Sequence, residues 1–289
     1  MLRDAAAGGR SVSIGREGGD VVLSTVGLDR VLEHEAGDLT CTVEAGIRLS
    51  QLRAALEPHG QMVALDPPGD PTIGACIAAN LSGPSRHRYG TARDLVIGVT
   101  VVLADGTIAS SGGKVVKNVA GFDLGKLFCG SEGRLGLVGR VALRLHPLPE
   151  ATATVVGPPS AAGALAVLHS TLVPSALDVH LPDRVAVLFE GSPGAVAAQV
   201  RRARVLVDGE EAGDEVWHDA AERQLAARGR LLFAPGRLGE LLAGRADGVV
   251  RVAAGVAYVP EPVDDPRDPA AIVLAKQIRE QFDPQGVLV

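Results

Sequence analysis

Hydrophobic positions in this chain fall into short blocks punctuated by glycine, proline and acidic residues, and the period of the blocks changes along its length. Residues 2–7 read as a short helix, and SVSIG (11–15) and VVLST (21–25) as two strands around the glycine turn REGGD. EAGDLTCTVEAGI (35–47) follows as a pair of short strands. SQLRAALEPHG (50–60) switches to the helical period, with Ser50 as N-cap and Gly60 at the end. Pro67, Pro68, Gly69, Asp70 and Pro71 make a rigid loop into TIGACIAANLSG, whose small residues predict a closely packed helix. Strands resume in LVIGVTVVLADGTIASSGG, with a hairpin turn at Asp105-Gly106, and GRVALRLHPLP alternates as a strand that ends at prolines.

The character changes near Ala151. VVGPPSAAGALAVLHSTL, ALDVHLPDRVAVLFEGS and PGAVAAQVRRARVLV predict helix, two strands and helix, an α+β unit of roughly a hundred residues. Residues 260–269 are a Pro- and Asp-rich linker before a final helix in AAIVLAKQIREQFDPQGVLV. The chain therefore divides into residues 1–150, 151–259 and 260–289, without internal repeats.

With 289 residues, 46% of them hydrophobic, the chain can bury a sizeable core. Aromatics are only 3% while Gly numbers 36, so Ala, Val and Leu fill the interior and backbones approach closely. A net charge of −6 argues against a nucleic-acid partner. Arg201, Arg202 and Arg204 follow a helical pattern and predict a solvated face; Arg86, His87 and Arg88 form a second basic cluster. Cys41, Cys76 and Cys129 are widely spaced, odd in number and set among apolar residues, as buried thiols of a reducing compartment are. No run reaches the length of a membrane-spanning helix, and MLRDAAAGGRSV lacks the apolar core of a signal peptide. The expectation is a cytoplasmic protein, with peripheral attachment at the inner face of a membrane through partners as the alternative.

Two segments carry candidate chemistry. In residues 112–138, GGKVVKNVAGFDLGKLFCGSEGRLGLV, seven glycines interrupt an apolar run, as where a large anionic or planar ligand meets the main chain. Ordinary turns are the plain alternative. In residues 66–98, Thr72-Ile73-Gly74 offers a hydroxyl and amides suited to a pyrophosphate or a flavin edge, and Asn80, Ser82 and Gly83 repeat that chemistry one helix later.

TIGACIAANLSGPSRHRYGTARDLVIGVTVVLADG, together with GGKVVKNVAGFDLGKLFCGSEGRLGLVGRVALRLHPLP, resembles the FAD-binding domain of the p-cresol methylhydroxylase and vanillyl-alcohol oxidase type. Within that family the likeness is to FAD-binding subunits of bacterial glycolate oxidases, and it resumes at FDPQGVL (282–288). The resemblance implies an α+β fold: a two-subdomain FAD-binding domain with an inserted α+β cap domain over the flavin ring. It implies a pyrophosphate turn at Gly15, Arg16, Glu17, Gly18, Gly19 and Asp20. A second wall is implied at Pro68, Thr72, Ile73, Gly74, Asn80, Ser82, Gly83, Tyr89, Gly90 and Asp94, and a third at Glu132, Gly133, Gly136, Leu137 and Val138. Tyr89 and Asp94 have packing and capping as their plain alternative, and Lys117-Asn118 a local turn; an inward Lys117 would stabilise reduced flavin. Phe122 and Asp123 read as structural.

Two departures qualify the resemblance. The pyrophosphate turn reads REGGD where the family has a Gly-Gly-Gly-Thr-like sequence, so Glu17 and Asp20 bring negative charge toward a diphosphate unless Arg16 compensates. The family's cluster of cap histidines is also missing: His169, His180 and His218 are far apart in sequence, and VRVAAGVAYVPEP contains no histidine, so no metal site and no catalytic base is assigned. No His or Cys lies in the first glycine turn, and FAD is expected to be held non-covalently. The functional expectation is an FAD-binding accessory subunit of a glycolate or other 2-hydroxy-acid oxidase complex. It would relay electrons between a catalytic flavoprotein subunit and an iron-sulfur subunit. The alternatives are a structural subunit with a degenerate flavin pocket and a stand-alone FAD-dependent oxidase of an alcohol or 2-hydroxy acid.

Overall fold

The computed structural model describes residues 2–113, 123–263 and 269–289. Its centre is a five-stranded antiparallel sheet with the spatial order Val31–Glu35, Thr40–Glu44, Leu137–Arg144, Val96–Val102, Ile108–Gly112. Side chains alternate across a strand, so Cys41, Val43, Val99, Val101, Val141 and Leu143 share one face. Helices Leu49–Leu56, Ile73–Ala78, Ala92–Leu95 and Gly125–Phe128 bury that face. The hairpin expected at Asp105-Gly106 joins Val96–Val102 to Ile108–Gly112, with Gly106 at φ 81° and the Asp105 carboxylate accepting from Thr107 N at 2.8 Å.

One capping expectation is corrected. Helix Leu49–Leu56 has Arg48, not Ser50, at its N-cap. Ser50 lies inside the first turn, where its N–H and hydroxyl donate to the Asp70 carboxylate at 2.9 and 2.8 Å. The acceptor that a local Ser cap would supply comes instead from the proline-rich loop, a long-range contact that a local pattern does not contain. The next helix, Ile73–Ala78, is capped by Thr72, whose Oγ1 accepts from Ala75 N at 3.2 Å, so the hydroxyl read from sequence as a ligand group serves the helix end.

A smaller unit packs beside this sheet. Strands Val12–Ile14 and Val21–Leu23 pair in parallel, although only residues 15–20 connect them. Parallel strands usually need a crossover of a dozen residues or more. Here Gly15 at φ 67° and Gly18 at φ 130° let the loop double back. The C-terminal tail completes the unit: Val12 N donates to Val287 O at 2.7 Å, Val289 N donates to Val12 O at 3.0 Å, and Leu2, Ala5, Val12, Val287 and Leu288 close a small core.

Residues 151–259 build a seven-stranded antiparallel sheet. Its spatial order is Glu210–Ala212, Ala151–Gly157, Arg184–Gly191, Ala176–Leu181, Gly248–Arg251, Val256–Val259, Gly229–Leu232. This is a larger sheet than the two strands read from sequence: four further strands are only three or four residues long and begin at or beside glycine, and Ala151–Gly157, whose VVG was read into the following helix, is a strand. Helices Ala161–Leu168 and Pro193–Val207 cover one face, the latter burying Val196, Val200, Ala203 and Val207 at helical spacing. Asp178 and His180 alternate with the core residues Leu177 and Val179 and so point to the other face, where the ring of Trp217 from helix Glu215–Ala226 meets His180 edge-on at 5.9 Å. That face looks toward the first sheet.

Two glycines set the spacing around helix Ile73–Ala78. A Cβ on Gly74 would lie 2.8 Å from Ala45 O, and one on Gly83 would overlap the Asp66 carbonyl. Gly83→Ala is expected to lower unfolding free energy by about 2 kcal/mol or more, since backbone must move to admit the methyl. Gly37→Ala, where a Cβ meets nothing within 4 Å, stays within about 0.5 kcal/mol of wild type. Urea unfolding followed by the fluorescence of Trp217 measures both.

Candidate functional site

A groove of about 480 Å³ runs between the parallel strand pair, helix Ile73–Ala78 and the turn that enters strand Leu137–Arg144. Ile14, Val22, Val26, Leu137 and Val138 make its floor apolar, and Ser24, Thr25 and Thr72 add hydroxyls. Its edges are backbone: Gly15, Gly74, Gly133 and Gly136 line it. A Cβ on Gly15 or Gly18 would meet nothing within 4 Å, so this loop faces open space at two positive-φ positions, while Gly15 N itself donates to Leu23 O at 2.8 Å.

Nine of the residues singled out from sequence come together here: Gly15, Arg16, Glu17, Thr72, Gly74, Gly133, Gly136, Leu137 and Val138. The remainder lie elsewhere. Gly19 packs on the backbone of residues 11–13, Ile73 is fully buried, and Pro68 belongs to the loop before the helix. Glu132 adopts φ 54° and anchors the third wall to the helix, its N–H donating to Ala78 O at 2.7 Å. Asn80 accepts from Arg93 N at 3.1 Å, and Asp94 accepts from Thr91 N and Oγ1 at 2.8 and 3.0 Å as a capping box, packed beneath Gly90. Lys117, Asn118 and Phe122 lie outside the described residues.

The acidic turn is arranged differently from its sequence impression. Asp20 turns away from the groove: its carboxylate accepts from Ser11 N and Oγ, both at 2.8 Å, and those hydrogen bonds hold it below the usual carboxylate range. Arg16 donates to Val289 O at 2.8 Å, tying the loop to the C-terminal tail. Glu17 is the acid left on the groove's edge. Val22, Ser24, Thr25, Val26, Ala75 and Ala78 were not anticipated. No local pattern marks these positions; Val22, 54% exposed, comes to the groove through the parallel pairing of its strand.

Ser82, Gly83 and Tyr89 lie on the other side of the helix, at the seam between the two sheets. Tyr89 Oη donates to Glu190 Oε2 at 3.0 Å, and Arg88 donates to Ser175 Oγ and Glu190 O at 3.3 and 2.8 Å. Arg86 Nη1 donates to Ser82 Oγ at 3.1 Å. Asp66, whose carboxyl burial raises, accepts from Ser85 N at 2.8 Å, and burial lowers His87 against the opposing charge of Asp178. Among the described residues, no three His, Cys, Asp or Glu side chains gather into a metal-binding group. Burial pushes the thiols of Cys41 and Cys76 up to about 12, leaving them protonated and inert.

Residues 5–112, which contain the glycine loop and helix Ile73–Ala78, match the family described as the FAD binding domain. The chain carries an FAD-binding domain of this family. FAD is its cofactor, and the groove fits it: the volume lies in the range of cofactor pockets, the apolar floor suits flat rings, and the glycine loop leaves room for a diphosphate.

The chain is similar to glycolate oxidase subunit GlcE of Escherichia coli, 31% identical over 201 residues, covering 68% of this chain and 56% of that protein. It is also similar to D-lactate dehydrogenase [cytochrome] 1, mitochondrial, of Saccharomyces cerevisiae, 39% identical over 129 residues, covering 45% and 22% of the two chains. Glycolate oxidase subunit GlcD of Bacillus subtilis is 41% identical over 140 residues, covering 48% and 30%. The chain thus spans 56% of the first of these relatives and less than a third of the other two. Alkyldihydroxyacetonephosphate synthase superposes with a TM-score of 0.74 at 15% identity, covering 99% of this chain and 72% of that one, which establishes the fold alone. The α+β fold of the p-cresol methylhydroxylase type, expected from the two motifs, is the fold of this protein.

Tyr89 gives the seam of the FAD-binding protein a pH signature. Burial, and secondly the charge of Glu190, push its hydroxyl up to about 12. A folded value above the ordinary one means that the protonated phenol stabilises the fold below pH of about 10 and that this contribution is lost as pH rises toward 12. In a Tyr258→Phe background, phenolate absorbance from Tyr89 should appear well above pH 10, and Glu190→Gln should lower its midpoint. Titration at the ordinary value, unmoved by Glu190→Gln, would remove this seam contact.

Proposed function

We propose that this chain is an FAD-dependent oxidoreductase subunit of a complex that oxidises glycolate or a related 2-hydroxy acid, holding FAD non-covalently and relaying electrons. The observation that carries the reading is the backbone-edged groove, twelve of whose sixteen lining residues fall in the matched segment 5–112. Relatives named as glycolate oxidase subunits, and others named as D-lactate and D-2-hydroxyglutarate dehydrogenases, support the substrate class.

Bound FAD supplies hydride acceptance and one-electron transfer. This chain's residues supply the setting. The open loop at Gly15 and Gly18 leaves room for the diphosphate, with Gly15 N itself donating to Leu23 O at 2.8 Å, and Arg16 holds that loop through Val289 O. Thr72, Gly74, Ala75 and Ala78 present a small-residue helix face along which the cofactor extends, and Gly133, Gly136, Leu137 and Val138 close the opposite side. The seven-stranded sheet caps the far side of residues 80–83 and limits access of water there. With no catalytic base assigned to its residues, the chain acts in concert with a catalytic flavoprotein subunit and an iron-sulfur subunit. No helix among the described residues is long and apolar enough to cross a membrane, and the proposed location is the cytoplasm, with attachment to the inner membrane face through those partners.

One observation favours a second reading, a structural subunit with a degenerate pocket: Glu17 stands on the groove's edge while Arg16 is engaged with a carbonyl. The visible spectrum separates the two. Purified protein incubated with FAD and desalted should retain flavin absorbance that denaturation releases into the supernatant, and Ala75→Leu, which fills the groove from an exposed helix position, should weaken FAD binding about tenfold or more without loss of fold. Protein that emerges colourless would refute the flavin reading and leave the structural one.

A further inference from the structure

A chain of polar groups, buried at Asp178 and Arg251 and half-buried at Gln224 of helix Glu215–Ala226, runs from the seven-stranded sheet to the backbone beside the proposed flavin seat. Asp178 and Arg251 face each other in the sheet register, are 1% and 2% exposed, and form an ion pair. Arg251 Nη2 also donates to Gln224 Oε1, and Gln224 Nε2 donates to Ser82 O at 3.2 Å. The amide can point only one way. Arg251 has donors and no acceptor, so the oxygen of Gln224 must face it, and the amide nitrogen is left for the Ser82 carbonyl. A buried ion pair contributes little stability beyond what an apolar pair of equal volume would give, so what this pair supplies is orientation.

Ser82 is itself 5% exposed, and it follows helix Ile73–Ala78 by four positions. That helix ends on the groove at Ala78, whose carbonyl accepts from Glu132 N on the third wall. The backbone of residues 78–83 is therefore held at one end by the groove's wall and at the other by the seven-stranded sheet.

We propose that Gln224 is a positioning residue for the flavin seat: by fixing the Ser82 carbonyl it couples the placement of the seven-stranded sheet to the affinity and environment of FAD. This rests on the reading that FAD lies along helix Ile73–Ala78. Asp178 and Arg251 act one step behind Gln224, holding its amide in the productive direction.

The test compares three variants of the full chain with wild type. Gln224→Glu keeps an acceptor for Arg251 and nearly the same volume but turns a carboxylate oxygen toward the Ser82 carbonyl. Gln224→Met keeps the volume and removes both bonds. Thr154→Val removes the 2.9 Å hydrogen bond from Trp217 Nε1, which seats the same helix Glu215–Ala226 from a different side chain. FAD dissociation constants by flavin fluorescence, the position of the bound flavin's absorbance bands, and urea unfolding are measured for each. Both Gln224 variants should raise the FAD dissociation constant about fivefold and shift the absorbance bands, while Thr154→Val stays within about twofold with unshifted bands. Wild-type affinity and spectrum in both Gln224 variants would overturn the proposal, and so would an equal weakening by Thr154→Val, which would make the effect one of helix placement. If Ala75→Leu weakens FAD binding while the Gln224 variants do not, the groove stands and this inference falls; if Ala75→Leu has no effect either, the groove reading falls and takes the inference with it.

Discussion

The close approach of main chain to main chain at Gly74 and Gly83 sets where helix Ile73–Ala78 and the elements on its two flanks can sit. Gly74 N donates to Ala45 O at 2.6 Å, and a side chain at either glycine would displace a carbonyl. Helix Ile73–Ala78 is thereby seated flush on the end of strand Thr40–Glu44 with Ile73, Cys76 and Ile77 in the core. Its remaining residues, Gly74, Ala75 and Ala78, are small and face the groove. A bulkier or more distant helix would either close the groove or open a gap beneath it. The 36 glycines and the scarcity of aromatics follow the same logic, since the groove's edges are glycine backbone and its floor is aliphatic.

The segment leaving that helix joins the two sheets. On it, Ser82 is reached by Gln224, and Arg86, Arg88 and Tyr89 reach Ser82, Ser175 and Glu190 in turn. The hydrophobic cores of the two sheets are separate clusters, so their relative placement rests on this polar seam. Polar groups cost free energy to bury unless they are paired, which makes such a seam specific in geometry. The groove and the seam lie on opposite flanks of a single short stretch of chain, and a shift at one is felt at the other.

Much of this was legible in the sequence where the determinant is local. The Asp105-Gly106 hairpin and the solvated face of Arg201, Arg202 and Arg204 each depend on neighbours within a few residues. What escaped was long-range. Ser50 looked like a cap because its true partner, Asp70, is twenty positions away. Asp20 looked as if it faced a diphosphate because its partner, Ser11, is nine positions away, while Glu17 does stand on the groove's edge and Arg16 is drawn to Val289 at the far end of the chain. Val22, Ser24 and Val26 line the groove only because their strand pairs in parallel after an unusually short loop. Asp178 and Arg251 each interrupt an apolar strand, ALDVHL and GVVRV, and that interruption was a readable hint of a buried pair whose members sequence could not match. The motifs in TIGACIAANLSG and SEGRLGLV located two walls of the groove because both are made of backbone, which a glycine pattern encodes directly.

With FAD lying along helix Ile73–Ala78, its binding tightens one contiguous set of segments on either side of that helix. Hydrogen–deuterium exchange of the full chain with and without FAD tests it most directly. The predicted result is slower exchange on FAD addition in residues 15–26, 72–83 and 133–138, with residues 229–245, at the far edge of the seven-stranded sheet, unchanged. Protection that leaves residues 15–26 and 72–83 untouched, or that appears only in the seven-stranded sheet, would contradict it.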